Sequence, residues 1–357
     1  MPTPSHTYEF RAGEFLRRLV SPVLGVVLLA AALQVTSRLR ALPLPVPSDL
    51  DRTVLAAKTE LASRTQPVSV ILLGDSSCMM DVDTPELARR LDRSVLNLGT
   101  LSYLDLAAHT ALLRHALQHL PAPPRDVVLL LHPGSLLRSS SLPALDQFLR
   151  ARLAGDSMGS RSFARHGAEA LLGGVIVREQ ILQPWIPCVL RGEFARAYGT
   201  TWQVQRLLNR RSGTLLDPTR FDTEAHQGRY EFHLNPRLET ASRELKAAIP
   251  PGTRFCVGLT PVPASLALSD HSARIQAVLD SWTPWLQPDQ VLPLSSTSVA
   301  AGVPSGGVLP GSESVNRSIP THGLPAVLPD SEFATATHLN AQGVASFTAR
   351  LATELRR

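Results

Sequence analysis

Val68-Ser69-Val70-Ile71-Leu72-Leu73-Gly74-Asp75-Ser76-Ser77 is an apolar run that stops at a glycine and passes into two short hydroxyl side chains. A run this short, without polar alternation, predicts a strand covered on both faces, as in a parallel sheet. A helix start follows, with Asp83 or Thr84 as N-cap, Pro85 in the first turn and a helix through Leu91. Outward from there the same alternation recurs. Ser94 to Leu98 reads as a second strand ending at Gly99, and Asp105 to Leu120 as a helix broken by Pro121 to Pro124. Asp126 to Leu131 reads as a third buried strand, ending in His132-Pro133-Gly134. Arg254 to Thr260 is a fourth, and Gln290 to Leu294 a short fifth that Pro293 relegates to an edge. Leu238 to Ile249, His271 to Trp282 and Asn340 to Arg356 carry helical periodicity.

Strands alternating with helices, with glycine turns at the strand ends, predict an α/β domain over 66–357. The expected fold is a doubly wound (flavodoxin-like) parallel sheet of about five strands. Residues 138–237 read as a largely helical insertion, with pieces at Pro143–Leu153, Phe163–Leu171 and Trp202–Arg210, and 295–329, rich in Ser, Gly and Pro, as a flexible surface loop. Ligands of such sheets bind beyond the carboxyl ends of the strands. Gly74-Asp75-Ser76, Gly99 and His132-Pro133-Gly134 all fall at those ends, so they are expected to converge.

Hydrophobic residues make up 44% of the chain and charged residues 18%, which supports a packed core and excludes global disorder. The net charge of +5 comes from scattered arginines with no basic stripe, so no nucleic-acid partner is expected. Cys78, Cys188 and Cys256 form no CxxC pair, and their odd number excludes a full disulfide framework; free buried thiols are expected, with one disulfide as the alternative in a domain outside the cytosol. Neither a zinc-spaced Cys/His set nor a phosphate-cradling glycine loop occurs, so no cofactor and no metal are expected. Leu19 to Val35 is uncharged, and Arg17-Arg18 and Arg38 with Arg40 bracket it. It is at the short end of bilayer-spanning lengths and reads as a transmembrane helix, with a cleaved signal or a buried helix as alternatives. On that reading 1–40 is a cytoplasmic tail and anchor, 41–65 a stalk stiffened by Pro43, Pro45 and Pro47, and the domain is extracytoplasmic on a single-pass membrane protein.

Three blocks carry a family resemblance: Gly74-Asp75-Ser76-Ser77 after the first strand, Asn97-Leu98-Gly99 after the second, and His338-Leu339-Asn340-Ala341-Gln342-Gly343 before the last helix. In order and spacing they resemble the SGNH (GDSL) hydrolase family across about 66–137 and 254–355. The resemblance implies Ser76 as nucleophile, the backbone N–H groups of Ser76 and Gly99 as oxyanion donors, and His338 as base. Asp75 and Asn97 fall in the same catalytic blocks, and Ser77 with His132 in the substrate-binding set. Two positions depart from the pattern. The aspartate expected three residues before the histidine is Thr335, so either Asp330 or Glu332 folds back to replace it or Ser76 and His338 act as a dyad. The asparagine of the family's third block is missing, and His132 stands there as a replacement donor or a strand cap. Without the resemblance, Asp75 or Ser76 would read as the cap of a strand-to-helix turn, and His338 as a helix-entry residue.

The anchored members that this chain resembles O-acetylate exported polysaccharides beside a multi-spanning membrane acyltransferase. The implied function is therefore an acyltransferase acting on a polysaccharide or other acyl-acceptor glycan. The alternatives are an esterase that deacylates glycans or lipids, and a catalytically inactive scaffold or glycan-binding protein of an export complex.

Overall fold

The computed structural model describes residues 49–137, 141–154, 200–216, 234–295 and 323–357, with a few isolated positions before residue 29. The chain divides into two units, Met1–Ser48 with Asp156–Trp202, and Asp49–Gly155 with Gln203–Arg357. The second unit holds the sheet.

Its framework is β1 (Val70–Gly74), β2 (Val95–Asn97), β3 (Asp126–Leu131) and β4 (Arg254–Leu259). The short strands β5 (Val262–Pro263), β6 (Gln290–Val291), β7 (Leu294–Ser295), β8 (Leu324–Pro325) and β9 (Val327–Leu328) complete it. Five of these form one parallel sheet in the order β2-β1-β3-β4-β6, the flavodoxin-like arrangement. Because successive side chains alternate across a strand, each strand feeds two cores. Ile71, Leu73, Val127, Leu129, Phe255 and Val257 face one side. There they meet α1 (Leu50–Ala62), α4 (Leu106–His119), α7 (Leu238–Ala248) and α8 (His271–Leu286). Val70, Leu72, Val128, Leu130 and Cys256 face the other. They pack on α2 (Ser76–Met80), α3 (Thr84–Leu91) and α9 (Ala341–Arg356). Both faces are covered, which is why these strands read as unbroken apolar runs.

Three boundaries differ from the sequence reading. The stretch read as stalk contains α1 from Leu50, capped by Asp49, with Val54, Leu55, Ala57 and Leu61 buried. Pro43, Pro45 and Pro47 just before it mask its apolar periodicity in the sequence. The expected fifth strand is split at Pro293 into β6, on the sheet edge, and β7, which pairs with β8. The loop read over 295–329 closes with β8 and β9, where Leu324, Ala326 and Leu328 are buried. Their short apolar pattern is hidden among neighbouring Gly and Pro. Of the insertion, α5 (Pro143–Leu153) and α6 (Thr200–Arg210) are described. The expected helix over Phe163–Leu171 lies outside the described residues.

The insertion returns to the sheet through Gly213. The Asn97 N–H donates to Ser212 O (2.8 Å), and the fully buried Lys58 ammonium bridges Asn97 O (2.9 Å) and Gly213 O (2.6 Å). Gly213 has φ +98°, and a Cβ there would lie 1.9 Å from Asn97 O. α1, the end of β2 and the returning insertion are thus tied at one point.

Among the described residues no helix is long and apolar enough to cross a membrane. Most of Leu19–Val35 lies outside them. Val20, Leu24 and Leu28 are helical and exposed by 56%, 53% and 60%.

Candidate active site

Ser76 opens α2 directly beyond the carboxyl end of β1. The turn that puts it there is forced by close packing: Gly74 has φ +152°, and a Cβ on it would lie 1.7 Å from Leu130 O. Asp75 caps α2, its Oδ1 accepting from the Ser77 N–H at 3.0 Å. Its other oxygen accepts from the His132 N–H (2.8 Å) and the Ser135 hydroxyl (2.5 Å). Asp75 is buried and fastens the ends of β1 and β3 together, so it acts by positioning its neighbours. The Ser77 hydroxyl donates to Thr337 O at 2.9 Å, joining the first block to the last. Ser77 is therefore a buried strut, not an open substrate contact.

The second block also turns inward. Asn97 is buried; its Oδ1 accepts from the Gly99 N–H (2.8 Å), and its Nδ2 donates to Cys78 O (2.8 Å). The Gly99 N–H expected at the oxyanion is therefore spent on Asn97. A Cβ on Gly99 would lie 2.7 Å from Met79 N, so this glycine serves the close approach of β2 to α2. Cys78 and Cys256 are buried free thiols, and burial pushes the Cys256 thiol up to about 12.

His338 is held by its backbone. Its N–H donates to Thr335 Oγ1 (3.1 Å), and its carbonyl accepts from the Ala334 (2.8 Å) and Thr335 (3.1 Å) N–H groups. Thr335, where the resemblance calls for a carboxylate, fastens this turn. The carboxylate comes from another element. Asp81, fully buried after α2, places Oδ1 3.9 Å from His338 Nδ1 and accepts the Leu339 N–H at 2.8 Å. At 3.9 Å this is an ion-pair separation and not a hydrogen bond. With an effective dielectric of about 20, a carboxylate at that range is worth about 4 kcal/mol to an imidazolium.

Neither acid expected in this role serves it. Asp330 Oδ1 accepts from the Ser265 N–H (3.0 Å), and Glu332 Oε2 accepts from the Ser346 hydroxyl (2.9 Å). Asn340 of the last block caps α9, accepting from the Gln342 (3.0 Å) and Gly343 (3.1 Å) N–H groups.

His132 caps the end of β3: its Nδ1 accepts from the Gly134 N–H at 3.1 Å, which places the ring proton of the neutral imidazole on Nε2. Burial pulls its pKa down to about 4; Asp75 opposes this, while His338 and His271 add to it. His271, at the start of α8, is likewise pulled down to about 4, chiefly by burial. His132 thus feels the charge of both His338 and His271. The Ser76 hydroxyl, half-buried, lies 2.6 Å from the Ser102 hydroxyl. That hydrogen bond stands where one to His338 was expected.

The sequence reading missed Asp81, Ser102 and His271. Asp81 looks like any acid near a helix start, and only the one-turn length of α2 brings it back beside the last block. Among the described residues no three His, Cys, Asp or Glu side chains gather as a metal site.

Fold and site together define a parallel α/β domain with a serine, a histidine and a buried carboxylate at the carboxyl edge of its sheet. No protein-family model, curated protein or solved structure matches the chain.

Proposed function

We propose that this chain is an SGNH-type serine acyltransferase that moves an acetyl or similar group onto an extracytoplasmic polysaccharide. Ser76 forms the acyl-enzyme, His338 carries the proton, and Asp81 stabilises the imidazolium. The observation that carries this reading is the buried Asp81 carboxylate 3.9 Å from His338 Nδ1, which also accepts the Leu339 N–H and so ties the end of α2 to the His338 block. An acid in that place answers the missing aspartate at Thr335. Asp75, Asn97, Ser77 and Gly99 hold the site together from within.

The apolar, helical and exposed Val20, Leu24 and Leu28 support a membrane anchor for the domain. A multi-spanning acyl donor protein is the expected partner. An esterase would share every step up to the acyl-enzyme and differ only in water as acceptor. One observation favours a noncatalytic scaffold or glycan-binding role: the Ser76 hydroxyl is engaged with Ser102.

Turnover of an acetyl ester by the wild type, Ser76→Ala and His338→Ala tests the proposal. Turnover confined to the wild type supports it; activity that survives Ser76→Ala sinks the nucleophile assignment.

A further inference from the structure

The geometry points to the Ser102 hydroxyl as the second oxyanion donor of this site, an inference that rests on the acyl-transfer reading above. The amides at the end of β2 are all committed to the fold. Leu98 N–H donates to Leu72 O (2.8 Å), Gly99 N–H to Asn97 Oδ1 (2.8 Å), and Thr100 N–H to Gly74 O (2.9 Å). The third-block asparagine is absent, and His132 occupies its place as a strand cap. An oxyanion on an acyl group carried by Ser76 meets the Ser76 N–H and lacks the second donor that the block pattern implied.

Ser102 supplies one. Its hydroxyl is 2.6 Å from Ser76 Oγ. The oxyanion forms one bond angle away from that oxygen, so the hydroxyl stands within reach of the about 2.7–3.1 Å that such donors keep. The turn that carries it is fixed on both sides. Leu101 and Leu104 are buried, and the Leu104 N–H closes the turn on Leu101 O at 3.2 Å. Asp105 and Ser141 exchange two hydrogen bonds, at 2.9 and 3.1 Å, and the Leu142 N–H donates to Tyr103 O at 3.0 Å. With the carrying turn held this way, only the Ser102 O–H rotates during the reaction, which keeps the cost of reorganisation at the transition state small.

In the step, Ser76 Oγ bonds to the acyl carbon as its proton passes to His338. The carbonyl π pair moves onto oxygen, and Ser102 Oγ–H donates to it. Collapse returns the pair to the carbonyl, breaks the bond to the leaving oxygen, and that oxygen takes the proton from His338. In the resting site the same hydroxyl holds Ser76, so the Ser76–Ser102 hydrogen bond gives way as the oxyanion forms.

The test uses the full chain and p-nitrophenyl acetate with Ser102→Ala, Ser102→Cys, Ser102→Thr and Ser76→Ala. Ser102→Ala and Ser102→Cys are expected to lower kcat on the order of a hundredfold with KM little changed, while Ser102→Thr stays within about threefold of wild type. The acidic limb of the pH profile is expected to stay in place. If Ser102→Ala folds poorly, Ser102→Cys, somewhat larger than serine and a weak donor, carries the comparison. Wild-type kcat in both variants overturns the inference, as does a shifted acidic limb, which would make Ser102 a proton relay. An active wild type silenced by Ser76→Ala but indifferent to Ser102 overturns this inference alone. A wild type with no turnover overturns both it and the parent reading.

Discussion

Replacing Lys58 by Met should change how stability depends on pH, not only its level. The Lys58 ammonium is fully buried and donates to Asn97 O and Gly213 O. Burial pulls its pKa down to about 7, against a smaller upward pull from Cys78. In the unfolded chain the group titrates near its usual value of about 10.4. Between those two values the unfolded chain binds a proton that the folded chain lacks, so stability rises with pH. The penalty for the buried charge is full below about pH 7 and is relieved above it. Integrated over one proton from pH 7 to 8.5, the gain is about 2 kcal/mol. Met cannot titrate, so Lys58→Met loses this gain and also strands two carbonyls at about 1–3 kcal/mol each. The buried thiols work in the opposite direction, because burial pushes Cys78 and Cys256 upward. Both proteins share those thiols, so most of their effect cancels in the difference. Urea unfolding of the full chain, followed by tryptophan fluorescence with a thiol reductant present, reads the effect. The gap between wild type and Lys58→Met should widen by about 2 kcal/mol between pH 7 and 8.5. Parallel curves would refute the assignment of a buried, titrating ammonium.

Asp81→Asn should lower acetyl-ester turnover by on the order of a hundred- to a thousandfold, since it removes the charge facing His338. Asp330→Asn and Glu332→Gln, whose carboxylates bind elsewhere, should stay near wild type in the same assay. Asp75→Asn sets an amide NH2 against at least one of three donors, the Ser77 and His132 N–H groups and the Ser135 hydroxyl. A loss of about 2–3 kcal/mol is expected, read as a lower Tm. Gly74→Ala drives a Cβ into Leu130 O and should yield no soluble folded protein, judged by circular dichroism.

The fold was legible because the deciding strands are buried on both faces. Val70–Leu73 and Val127–Leu131 are uninterrupted apolar segments, and the glycine or histidine that follows each marks the carboxyl edge of the sheet. Legibility failed where pattern and setting disagree. α1 follows three closely spaced prolines, and β8 lies beside a stretch of Gly, Ser and Pro. In the site, the three blocks did meet: the Ser77–Thr337 hydrogen bond joins the first to the last, and Cys78 and Met79 pack on Asn97 and Gly99. Their roles were less legible, because a motif names residue types and not directions. The Gly99 N–H points into the fold, and Thr335 fastens a turn. The carboxylate came from Asp81, and no fixed spacing from the histidine could have marked it. A carboxylate 257 residues away in sequence becomes a neighbour only through the topology that sets α2 against the last block.

The most direct measurement is covalent. Full-length protein is mixed with an activated acetyl ester, quenched within the first turnover, digested and analysed by mass spectrometry, beside His338→Ala and Asp81→Asn. The account predicts an acetyl group on Ser76 in the wild type, formed far more slowly in both variants. Acetylation elsewhere, or acetylation of Ser76 at the same rate in all three proteins, would contradict it.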